Sequence, residues 1–264
     1  MQRVDAPEIL DSFSCPVHLA QAALTVLGRI NRWFGGVTTT QKMVECAARV
    51  TGVNRLSLLE VASGLGEVPA LVQRRLASRG ITLDVTLLDR ALSHLPRSSN
   101  GKTPAAERRQ VVSDALALPF PDGAFDLVSC NLFAHHLNAH RLAEFVREGL
   151  RVSKRALLIN DIVRHPLHLA SVYASYPIMR NRIAWLDGLT SVRRAYLPEE
   201  IRSVISAASG SAIPMRIKIS RHYLFRMGVI VWATPLAERT IDEEAIPASA
   251  LPALPGYCRA RERT

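Results

Sequence analysis

The segment Glu60-Val61-Ala62-Ser63-Gly64-Leu65-Gly66 is the part of this chain best equipped for chemistry. An acid is followed by small residues at 62, 64 and 66, between an apolar run (Leu56 to Ala62) and a helical pattern (Glu67 to Ser78). Small residues let a ligand approach the backbone, and a helix start presents free N–H groups. A tight turn with no ligand would use the same glycines. The dinucleotide pattern G-x-G-x-x-G needs a glycine at 69, where this chain has Pro69, so nicotinamide binding is demoted. Asp89 ends a second apolar run, and a carboxylate there can accept hydrogen bonds from ribose hydroxyls. An Asp at a strand end is also a common turn residue. Ser113-Asp114-Ala115 ends a third run, where a side-chain acceptor can meet an adenine amino group. Past a fourth run come Asn131-Leu132-Phe133-Ala134-His135-His136. Either imidazole can take a phenolic proton near neutral pH, with helix capping and solvation as the plain alternatives. His135, nearer the strand end, is the favoured base. His136 and His140 have a metal spacing but no evident third ligand, so no metal is expected.

The elements that must position these groups are visible in the periodicity. Pro16 to Ile30 has helical spacing, stopped at Gly35-Gly36, and Thr38-Thr39-Thr40 can cap a second helix to about Val50. Strands are expected at Leu56–Ala62, Leu83–Asp89, Gln110–Asp114, Phe125–Asn131 and Ala156–Asn160, with helices at Glu67–Ser78 and Ala139–Leu150. A polar loop covers Arg97 to Glu107. Short apolar strands alternating with helices predict an α/β fold: a Rossmann-like, doubly wound, mostly parallel sheet. After Asp161 the stretch His165–Ala195 is expected to be helical and is too long for a crossover turn, and a helix follows over Pro198–Ala208. Ile213–Ile219 and Tyr223–Ala233 read as a closing antiparallel hairpin, completing seven strands. The division is an N-terminal helical lid (1–54), a main domain (55–234) with a helical substrate cap inserted at 162–196, and a tail (235–264) rich in proline and alanine.

Composition bounds the partners. The chain has 264 residues, and 48% are apolar, which suits a folded chain. Its longest apolar runs fall short of the ~20 residues of a membrane span. The N-terminus carries Asp5 and Glu8 in place of a basic region, so no secretory leader is expected and the cytoplasm is the expected compartment. The four cysteines form no C-x-x-C motif; Cys46 and Cys130 are expected as small core residues. A net charge of +10 raises nucleic acid as a partner. Lysine and arginine runs never exceed two residues, and Leu132-Phe133 replaces the Pro-Pro-aromatic motif of base N-methylation, so nucleic acid is disfavoured.

An acid ending the first strand, small residues at alternate positions, Asp89 and Asp114 form an ordered set. They suit S-adenosylmethionine, whose ammonium gives Glu60 a reason to be close. The phrase Asp114-Ala115-Leu116-Ala117-Leu118-Pro119-Phe120 makes the chain resemble class I S-adenosylmethionine-dependent methyltransferases, in the subgroup similar to ubiquinone/menaquinone-type (type 11) enzymes. The resemblance covers about residues 55–162, with weaker similarity through Asn160-Asp161 and Ser191 to Tyr196. It implies that Glu60, Ala62, Ser63, Gly64 and Gly66 hold the methionine end, Asp89 with Arg90 the ribose, and Asp114 with Ala115 the adenine. Asn131 and Leu132 would close over the cofactor. Glu60 and Ala62 stand where the family usually has Asp and Gly. The acceptor would lie against Trp33, Asp161, Tyr173, Arg182, Arg194 and Tyr196. O-methylation of a phenolic or polyketide-like small molecule in secondary metabolism is the leading expectation. The alternatives are C-methylation of a quinol-like ring and a non-catalytic S-adenosylmethionine-binding partner. A homodimer is left open.

Overall fold

The architecture follows from apolar runs that have to be covered on both sides. In the computed structural model, which describes residues 1–11, 15–96, 109–208, 215–223 and 225–233, seven strands form one sheet. They are β1 (Arg55–Val61), β2 (Thr82–Asp89), β3 (Arg109–Val112), β4 (Phe125–Asn131), β5 (Ser153–Ile162), β6 (Ile217–His222) and β7 (Arg226–Trp232). The order is β3-β2-β1-β4-β5-β7-β6; β7 runs antiparallel to both neighbours and the other pairs are parallel. The helices are α1 (Val17–Trp33), α2 (Gly36–Thr51), α3 (Glu67–Ala77), α4 (Ala139–Val152), α5 (Pro166–Ala174), α6 (Tyr176–Met179), α7 (Arg182–Arg194) and α8 (Pro198–Ala208). The loop expected over 97–107, the strand start expected at Ile213 and the tail at 235–264 lie outside the described residues.

Successive strand residues feed opposite cores. Leu58, Leu127 and Leu158 pack with Val44 and Ala47 of α2 and Val72 and Leu76 of α3. Leu59, Val128, Leu157 and Ile159 pack with Phe145 and Val146 of α4 and Ile201 and Ile205 of α8. Helix α2 is therefore a core helix covering the sheet, not part of a lid. It begins at Gly36, capped by Gly35 at φ +81°, a backbone state that glycine adopts at little cost. The expected threonine cap lies one turn inside it, and Thr39 and Thr40 are buried. Cys130 is a core residue, whereas Cys46 is half-buried at the rim of α2.

The helical stretch expected after β5 is divided into three helices, α5, α6 and α7. Pro177 lacks the N–H that a continuous helix would give to the carbonyl of Tyr173, and Arg180 turns the chain at φ +46°. Asn181 then starts α7 afresh, its side chain accepting from Ala184 N at 2.9 Å.

Candidate active site

The strand order reverses between β1 and β4, and such a switch point opens a crevice at the carboxyl ends of the strands. A cleft of about 590 Å³ lies there, bordered by the turn after β1, the ends of β2 and β4, α1 and residues 5–11. The turn is built on a left-handed backbone: Ala62, Gly64 and Gly66 have φ of +52°, +50° and +67°. At Gly64 an added Cβ would meet Leu24 at 3.7 Å, so space is left beside that backbone. At Gly66 it would strike Leu87 Cδ1 at 2.7 Å, so this glycine serves packing of the turn on β2. Ser63 Oγ is buried and has no hydrogen-bond partner among the described residues.

Glu60 sits at the base of the cleft. Its register partner Ser129 donates to Oε2, and Asn131 Nδ2 donates to Oε1 at 2.6 Å. Burial pushes its pKa up to about 7, and these two neutral donors do not offset that. Behind it runs a chain of donors through the interior. Arg226 Nη1 donates to Asn160 Oδ1 (3.0 Å), Asn160 Nδ2 to Thr40 Oγ1 (2.8 Å), and Thr40 Oγ1 to Asn131 Oδ1 (2.9 Å). Arg226 also grips the α1–α2 corner through Phe34 O and Asn31 Oδ1. Asp89 accepts from Gly64 N at 3.0 Å and Ala91 N at 3.1 Å. Burial raises its pKa, but His94 and these two N–H groups outweigh that and leave it lowered. Arg90, Asp114, Ala115, Asn131 and Leu132 line the same cleft, together with Glu60, Ala62, Ser63, Gly64, Gly66 and Asp89.

The two histidines separate. They occupy a single 3-10 turn, Ala134–His136, directly after β4. His135 is 1% exposed; its Nδ1 meets Asp161 Oδ1 at 2.7 Å and its backbone N–H donates to Asp161 Oδ2 at 2.9 Å. Burial pulls its pKa down, but the Asp161 and Glu8 carboxylates outweigh it and hold it at about 10. His135 is paired with Asp161 and does not border the cleft, where the sequence had favoured it as the proton acceptor. His136 lines the cleft, and its Nδ1 lies 2.8 Å from Asp11 Oδ1. The Asp11 carboxylate orients the ring, and its Nε2 lies 3.6 Å from Glu8 Oε2. Arg194 fixes the turn from α7, donating to His136 O at 2.6 Å and to Asp11 Oδ2 at 2.9 Å.

Of the residues expected against the acceptor, Arg194 borders the cleft. Asp161 is committed to His135, and Tyr196 is buried with its hydroxyl on Leu137 O at 2.7 Å. Trp33 is 72% exposed at the end of α1, and Arg182 is exposed at the start of α7. Tyr173 packs on Trp185 and accepts from Arg193. These five do not border the cleft. Glu8 and Asp11, contributed by a segment distant in sequence, take their place. No local motif marks those two acids; for Asn160 and Arg226 the hint is a polar residue inside an apolar strand.

Sheet order and cleft together define an architecture: the fold of S-adenosylmethionine-dependent methyltransferases. Residues 59–156 match the family model described as a methyltransferase domain, of the type 11 kind. No curated protein sequence matches the chain. Among solved structures, the plantazolicin methyltransferase BpumL in complex with S-adenosylhomocysteine is 11% identical, over 82% of this chain and 94% of the other, with a TM-score of 0.59. An O-methyltransferase family 2 protein from Planctomyces limnophilus, in complex with apigenin, is 16% identical over 84% and 63%, with a TM-score of 0.57. The CurJ carbon methyltransferase is 11% identical over 82% and 60%, with a TM-score of 0.58.

Proposed function

We propose that this chain transfers a methyl group from S-adenosylmethionine to a hydroxyl of a small phenolic or polyketide-like acceptor, with His136 receiving the hydroxyl proton. One observation carries the reading: His136, held by Asp11, faces the same cleft as Glu60, the 62–66 turn and Asp89. The residues present suit the cofactor. Glu60 is a buried carboxylic acid with no cation against it among the described residues, which suits an ammonium group. The unpartnered Ser63 hydroxyl and the open space at Gly64 suit a ligand lying along the turn. Asp89 and Asp114 follow as acceptors for ribose and base. Ala62 adopts the left-handed conformation its position demands, so the departure from glycine does not close the turn.

Bound there, the cofactor would supply an electrophilic methyl on a sulfonium. This chain's part is alignment, exclusion of water and removal of one proton. Asp11 orients the imidazole, whose Nε2 lies 3.6 Å from Glu8 Oε2 at the cleft, and Arg194 fixes the backbone that carries it. The first eleven residues and α1 act as the wall over the acceptor, and α5 to α7 brace that wall. The test is label transfer from methyl-labelled cofactor to a panel of phenols. His136→Ala is expected to lose about 10²–10⁴-fold in turnover while binding S-adenosylhomocysteine as the parent does. Turnover unchanged in that variant would remove His136 from the reaction.

A further inference from the structure

We infer that Glu8, His135 and His136 form a site for a single divalent transition-metal ion of the zinc class. The inference starts from the outer nitrogens. Each ring has its Nδ1 taken by a carboxylate, His135 by Asp161 at 2.7 Å and His136 by Asp11 at 2.8 Å. Both Nε2 atoms then face the two oxygens of one carboxylate: His135 Nε2 is 3.5 Å from Glu8 Oε1, and His136 Nε2 is 3.6 Å from Glu8 Oε2. These gaps exceed the ~2.9–3.0 Å of a good N–H···O bond. Two ligands each held at ~2.0–2.1 Å by a tetrahedral ion stand ~3.4 Å apart, close to what is seen. The donor atoms of the three side chains lie within 4.8 Å of one another.

A second observation points the same way. His135 Nε2 is buried and has no hydrogen-bond partner among the described residues. A buried ring nitrogen left in this way is costly unless something occupies the gap it faces. The surroundings also match a metal centre. Ligating imidazoles commonly give their second nitrogen to a carboxylate, which fixes the ring and raises its basicity. Here both do, and Asp161 and Asp11 offset the charge an ion would bring. Two imidazoles with one carboxylate select zinc, iron, cobalt or nickel over magnesium and calcium, which prefer oxygen. Glu8 and His136 line the cleft, so the remaining coordination positions open into it.

The sequence pair His136–His140 does not supply the ligands: His140 lies on the surface beside Glu144 at 3.4 Å. The third ligand comes from residue 8. An ion in this site engages the His136 lone pair that the proposed transfer needs, so occupancy and turnover oppose each other. That consequence rests on the proposed reaction; the binding does not.

The experiment uses the full chain, stripped with a chelator and titrated with Co²⁺ as a spectroscopic probe of a zinc site. One equivalent is expected, with the visible bands of four- or five-coordinate cobalt, displaced by Zn²⁺. Glu8→Gln and His136→Ala should each weaken binding at least tenfold while keeping the parent's circular dichroism. His135→Ala is left out because the fold depends on that residue. Absence of saturable binding would overturn the site, as would a sulfur-to-cobalt charge-transfer band or affinity unchanged in both variants. The titration contains neither cofactor nor acceptor, so its failure is separable from failure of the methyl-transfer reading.

Discussion

His135 and His136 share one turn, yet the partner of each Nδ1 sends them in opposite directions. Asp161 on β5 draws His135 into the interior as a charged pair, and Asp11 keeps His136 at the cleft. Removing one partner of a buried pair leaves the other charge uncompensated, so His135→Ala should cost about 3–5 kcal/mol in denaturant unfolding. A loss below about 1 kcal/mol, an ordinary surface value, would show that the pair is not buried and charged in solution. The pH signs agree for both members. The raised His135 pKa contributes stability that is present below its ordinary 6.5 and lost as pH rises through about 10. The lowered Asp161 pKa contributes stability that is present above 3.8 and lost as pH falls through its folded value. The sequence offered both histidines as bases and favoured His135 for its nearness to the strand end. What separates them arrives from 26 and 125 positions away, and no local spacing encodes such contacts.

At the level of elements, the turn after β1 uses its glycines differently. Gly66→Ala places a methyl against Leu87 at a positive φ, and should cost about 2–3 kcal/mol of stability from strain and overpacking. Gly64→Ala should cost about 1 kcal/mol, the strain alone, because the space beside it is open. Thermal melts of the two variants check the order, and equal losses would contradict this picture of the turn. Strand positions were legible because two-sided burial writes mainly apolar runs such as Leu56–Val61 and Leu83–Leu88, interrupted at Ser57, Glu60, Asp84 and Thr86. The break at Pro177 was written in the sequence too, in a proline and the capping Asn181, but apolar spacing across 165–195 masked it. The donor chain from Arg226 to Glu60 could not be read, since it joins β7, β5, α2 and β4 through side chains far apart in sequence.

Across the whole molecule, the sheet order places every group of the cleft. The reversal at β1 and β4 puts the ends of β1, β2 and β4 side by side, and the N-terminal segment closes the open side with Glu8 and Asp11. Among the described residues no helix is long and apolar enough to cross a membrane. The proposed function places S-adenosylmethionine in this cleft with Glu60 against its cationic amine. Burial holds the Glu60 pKa at about 7, above its ordinary 4.5, so the unliganded fold loses stability as pH rises through that window. A bound cation favours the ionised acid and reverses the trend for affinity. The decisive measurement is calorimetric titration of S-adenosylhomocysteine at pH 6 and pH 8, on the parent chain, Glu60→Gln and Asp89→Ala. One site is expected, bound about tenfold tighter at pH 8 than at pH 6, with that difference abolished in Glu60→Gln and affinity lowered by about 1.5–3 kcal/mol in Asp89→Ala. No heat of binding to the parent chain, or binding indifferent to both substitutions, would contradict it.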